Sequence, residues 1–134
     1  MDLAKYRTLF LEEATEHLGE ISRALLVLEK DASSTDAIDL VFRMAHSIKG
    51  MAASLGYDAI TEISHRLEDR MELVRSAGRL ERPEDLPLLF RGLEALERMI
   101  GVVRDTGEGP PPDPELAAAL ATDPGLKKKV LRRR

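Results

Sequence analysis

Leu3, Tyr6, Phe10, Leu18, Ile21, Leu25 and Leu28 follow one another at steps of three, four or their sums, with charged residues between them. That is the period of one face of an α-helix, so the first thirty residues read as a long amphipathic helix with these side chains turned inward. Lys30-Asp31-Ala32-Ser33-Ser34 ends it, because small polar residues leave a helix easily and supply the N-cap of the next. A second helix starts near Asp36 and buries Ile38, Val41, Phe42, Ala45, Ile48, Ala52 and Leu55 before Gly56 stops it. A third starts beside Asp58, carries Ile60, Ile63, Leu67, Met71 and Val74 inward, and ends at Gly78. The short turn at Gly56 makes helices two and three an antiparallel hairpin.

Gly78 and Pro83 mark the next loop, and Pro87 fits a helix only in its first turn, where its missing N–H forfeits no bond; the fourth helix therefore begins near Asp85. Leu89, Leu93, Leu96, Ile100 and Val103 form its apolar stripe. Four such stripes close one core, so the predicted fold is all-α: an up-and-down four-helix bundle over residues 1–105. The Gly107-to-Pro112 segment suits an extended spacer, placed at 106–125, within which Glu115 to Ala121 forms a short fifth helix packing through Leu116 and Leu120. Residues 126–134 read as a basic tail or a linker to further domains.

Composition narrows the classes. The 134 residues are 43% hydrophobic and 33% charged, as in a soluble globular domain, and no apolar run approaches a membrane span. The absence of cysteine excludes disulfides, thiolate metal sites and thiol nucleophiles, and with the acidic start at Asp2 it points to a cytoplasmic setting. Asn, Gln and Trp are absent too, which argues against specific readout of nucleic acid. The net charge of −4 is uneven: Lys127, Lys128, Lys129, Arg132, Arg133 and Arg134 crowd the tail and leave −10 on the remainder. Such a run is ordinarily a solvated linker.

Candidate chemistry lies on the second helix. His46 sits one position off the buried stripe, in line with Arg43, Lys49, Gly50 and Ala53, so its ring reaches solvent. A neutral imidazole nitrogen, with an unperturbed pKa of about 6.5, is nucleophilic near neutrality and can accept a phosphoryl group. Lys49, three residues on, is placed to set a cation beside the phosphoryl oxygens. Gly50 costs about 1 kcal/mol of helix propensity, a cost that clearance for an approaching protein explains. On the third helix His65 and Glu68 share a flank that faces His46 across the hairpin. A carboxylate there, Glu68, accepts the Nδ1 proton of His46, fixes its tautomer and leaves Nε2 free outward.

The run from Phe42 to Gly56, with His46-Ser47-Ile48-Lys49-Gly50 at its centre, resembles the H-x-x-K-G signature of histidine-phosphotransfer (HPt) domains. With His65-Arg66-Leu67-Glu68 at its spacing, it is most similar to the N-terminal phosphoacceptor domains of chemotaxis histidine kinases, over roughly Leu3 to Arg104. The resemblance implies that His46 is phosphorylated, that Glu68 is its hydrogen-bonded partner, that Lys49 and His65 support the site, and that Gly50 gives clearance, with Arg43 and Ala53 beside it on the partner face. It implies phosphoryl transfer from ATP on a separate kinase catalytic domain to the histidine, then to an aspartate of a response-regulator receiver domain. It also implies five helices. Met51-Ala52-Ala53 departs from relatives that carry further glycine here, and Met51 is expected to alter packing or partner fit.

The chain offers no ATP site of its own: Gly107-Glu108-Gly109 is a lone G-x-G in a proline-rich spacer, and no P-loop occurs. It reads as a module of a histidine protein kinase, without a cofactor, and as a monomer. Three alternatives remain open. Glu62 and His65 match one copy of the Glu-x-x-His pattern of dimetal bundles, which require two. The stripes alone would serve a noncatalytic helical interaction module. An HPt module of a multistep relay unrelated to chemotaxis would share the core signature.

Overall fold

A computed structural model describes residues 2–122. Its elements run α1 (Leu3–Lys30), α2 (Thr35–Leu55), α3 (Asp58–Ala77), α4 (Asp85–Thr106) and α5 (Pro114–Leu120). The basic tail at 126–134 lies outside the described residues.

Several boundaries have a local cause. The Asp2 carboxylate accepts the Lys5 amide at the start of α1, Ser34 Oγ accepts Ala37 N at the start of α2, and Asp113 accepts Leu116 N at the start of α5, where Pro114 occupies the first turn. Gly56 ends α2 with φ of +77°, returning its N–H to the carbonyls of Ala52 and Ala53. The left-handed turn lets α3 begin two residues later, so α2 and α3 become the most extensively packed pair.

The stripes converge as the periodicity requires. Phe10, Leu18, Ile21, Leu25 and Leu28 of α1 meet Ile38, Val41, Ala45, Ile48 and Ala52 of α2, and the predicted faces of α3 and α4 complete the same core. Four residues depart from the expected pattern, Leu55 among them as only half-buried at the end of α2. Leu3 and Tyr6 are exposed, because the first turns of α1 flank an open groove shared with Met51, Ser54 and Leu55 at the end of α2. Phe42 is half-buried, its outer face covered by the Arg75 guanidinium 4.4 Å from the ring centroid.

After α4 the segment 107–120 folds back. Leu116, Ala117 and Leu120 are buried against α3 and α4, so the core continues through α5. Seven residues are too few for a helix to persist unaided, and α5 is fastened at its end by Arg70 of α3. Arg70 Nε donates to Leu120 O at 2.8 Å and Nη2 to Ala119 O at 3.2 Å, while Nη1 lies 3.4 Å from Asp85 Oδ1 at the start of α4. One guanidinium thus ties three helices together. Among the described residues no helix is long and apolar enough to cross a membrane.

Candidate functional site

The hairpin brings one flank of α2 against one flank of α3, and the two polar flanks meet at His46. Its side chain is 66% exposed, whereas that of Glu68 is only 12% exposed in the seam between the helices. His46 Nδ1 hydrogen-bonds Glu68 Oε2, and Lys49 Nζ donates to Glu68 Oε1 at 2.6 Å. Both carboxylate oxygens are therefore occupied, one from each side.

Burial by itself pushes the Glu68 carboxyl up, but hydrogen bonds and charge from Lys49 and His46 outweigh it and leave the group below its ordinary value. Glu68 is thus ionised near neutrality. An ionised carboxylate only accepts, so His46 carries its proton on Nδ1 and keeps the lone pair on Nε2. In that tautomer the outward Nε2 can act as a nucleophile, and Glu68 stands where positive charge developing on the ring would be met.

Lys49 differs from its expected position. Its ammonium is engaged by Glu68 instead of standing free beside His46, because a desolvated carboxylate is the strongest local attraction for a cation. His65 also differs. It shares a shallow depression with Lys49, Asp58, Thr61, Glu62 and Arg66, but its Nε2 is paired with Asp69 Oδ2 at 3.5 Å, one turn along its own helix. His46 takes Glu68 as its polar partner and not His65.

Arg43, His46, Gly50 and Ala53 line one exposed face of α2 at steps of three, four and three. A Cβ placed on Gly50 would meet nothing within 4 Å, so the fold itself does not require glycine there. The sequence reading did not single out His17 of α1, whose Nε2 is 3.2 Å from Oγ of Ser47, the residue after His46. Its place beside Leu18 on the apolar stripe was the only sign that it faces α2. Glu62 is exposed, and among the described residues no group of three or more His, Asp or Glu side chains is arranged to hold a metal.

The family model that matches residues 5–106 is that of the Hpt domain. The chain belongs to the Hpt family. The chain is similar to the chemotaxis protein CheA of Bacillus subtilis, 36% identical over 121 residues, which is 90% of this chain and 18% of that protein. It is also similar to CheA of Listeria monocytogenes, 36% identical over 102 residues, 75% of this chain and 16% of that one. The chain thus spans less than a fifth of the length of these relatives. Among solved structures, the Hpt fold matches the phosphorylated P1 domain of CheA3 in complex with CheY6 from R. sphaeroides, with a TM-score of 0.67 and 23% identity, covering 96% of this chain and 97% of that one.

Proposed function

We propose that this Hpt domain is the phosphoacceptor and phosphotransfer module of a chemotaxis-type histidine kinase, with His46 as the residue that carries the phosphoryl group. The observation that carries the reading is the exposed His46 ring held through Nδ1 by the buried Glu68. The Nε2 lone pair attacks the γ-phosphorus of ATP presented by a separate catalytic domain. An N–P bond forms, the P–O bond to ADP breaks, and the Nδ1 proton stays on the ring against Glu68. In the second step an aspartate carboxylate of a receiver domain attacks phosphorus, the N–P bond breaks, and the imidazole returns to its starting tautomer.

The chain supplies position and electrostatics, which is most of what phosphoryl transfer asks of a protein. Lys49 holds Glu68 in place, Gly50 with Arg43 and Ala53 provides the face on which kinase and receiver domains alternate, and His65 lies at the edge of that face. The module is not an autonomous enzyme and binds no ATP. The similarity to CheA favours the chemotaxis setting, and the CheA3 P1 domain, phosphorylated and bound to CheY6, offers a receiver as the kind of partner to test. The test is incubation with ATP and the catalytic region of a chemotaxis kinase. Label enters the native chain and not His46→Gln; equal labelling of the two would remove His46 from the role.

A further inference from the structure

Lys49 is bound to Glu68, and the two negative charges that phosphorylation brings to Nε2 call for a further cation beside it. Arg43 precedes His46 by three residues on the same exposed face of α2, a spacing that puts Cβ atoms roughly 5–6 Å apart. Helical side chains lean toward the N-terminus, so the His46 ring leans over the turn that carries Arg43.

Arg43 is also uncompensated. Among the described residues its guanidinium makes no ion pair, and its one hydrogen bond is a 3.4 Å contact from Nε to Asp39 O. Asp39, the carboxylate one turn away, is instead drawn to Arg75 Nε at 3.2 Å. Arg75, held over Phe42, thereby keeps the nearest acid off Arg43. Releasing a long, exposed hydrogen bond costs little, and the planar fork of a guanidinium matches phosphoryl oxygens two at a time.

We propose that Arg43 is a positioning residue that neutralises the phosphoryl group on His46. The inference rests on His46 being the phosphoacceptor. A readout free of any partner protein is the ionisation of the phosphoryl group itself, followed by 31P NMR in the phosphorylated chain. Phosphate is placed on His46 by phosphoramidate, whose P–N bond breaks as Nε2 bonds to phosphorus and ammonia departs, or by ATP with the kinase catalytic region.

Arg43→Gln is expected to raise the last phosphoryl pKa by roughly half a unit at low salt, a difference that shrinks in about 1 M salt. Arg43→Lys restores part of it. Arg91→Gln, on α4, which makes no contact with α2, leaves the titration where it was. A phosphorylated Arg43→Gln chain that titrates like the native one overturns the proposal while the phosphoacceptor reading stands, even if transfer from the kinase falls, since Arg43 would then act only in docking. Failure of both donors to place phosphate on His46 would remove the phosphoacceptor reading, and the role of Arg43 with it.

Discussion

At the scale of single residues, the site separates the atom that reacts from the atoms that prepare it. Glu68→Gln keeps shape but loses the charge that holds the Nδ1 proton. Hydrogen bonds to charged groups contribute about 1.5–3 kcal/mol, so phosphorylation of that variant should slow by roughly 10- to 100-fold without vanishing, measured as initial labelling rate. An unchanged rate would take Glu68 out of the mechanism. Gly50 offers a cleaner division between folding and function. Since a Cβ there meets open space, Gly50→Ala should raise stability by about 0.5–1 kcal/mol in denaturant unfolding, whereas Gly50→Leu should fold and yet transfer poorly. A Gly50→Leu chain that transfers normally would mean the partner does not need the clearance. His46 and Glu68 were legible in the sequence because helical spacing alone puts them on facing flanks. The engagement of Lys49 was not, because it depends on how deeply the Glu68 carboxylate sits in the seam between α2 and α3. Nor was His17, whose relation to Ser47 crosses 30 positions and is fixed only by how α1 lies on α2.

At the scale of helices, beginnings and ends were readable from short-range chemistry: Ser34, Gly56, Gly78 and Pro87 act within a turn of themselves. What closes the elements on one another was less so. Gly92 of α4 is an example, since a Cβ there would stand 2.5 Å from Leu67 Cδ2 in the packed interior between α3 and α4. Leu67 is itself fully buried and cannot swing aside freely, so Gly92→Ala should cost about 1–3 kcal/mol despite its better helix propensity, read as a lower unfolding midpoint. A gain in stability would show that α3 and α4 pack less closely than described. The fifth helix was legible as Leu116 and Leu120 among alanines, but its fastening was not, because Arg70 reaches it across 50 residues. Arg70→Met should therefore speed amide exchange in 114–120 while leaving α1 and α2 protected. Uniform loss of protection would instead make Arg70 a support of the whole bundle.

At the scale of the molecule, the stripes join into one core and leave the reactive face outside it, so the site can be altered without unfolding the chain. The buried charges couple the two through pH. Glu68 has a folded value below its unfolded one, so its contribution to stability is complete above the ordinary carboxylate range and is lost as pH falls through the depressed value. Asp85 has the opposite sign: burial raises its carboxyl despite Arg70, so its ionisation works against folding above the raised value and that penalty is relieved on acidification. Glu68→Gln should consequently flatten the acid limb of the stability curve, and an unaltered limb would mean the seam contributes no pH dependence. Length and composition already pointed to one globular domain, and the apolar stripes to an all-α bundle with a short helix packing through Leu116 and Leu120; what they did not reveal is the Arg70 guanidinium that ties that helix to α3 and α4.

The most direct test of the central claim is a chase. The chain is labelled with ATP and a chemotaxis-kinase catalytic region, the modified residue is mapped, and a receiver domain is added. The account predicts acid-labile, alkali-stable phosphate on His46 that disappears as phosphate appears on an aspartate of the receiver. Label on another residue, or label on His46 that no receiver removes, would contradict it.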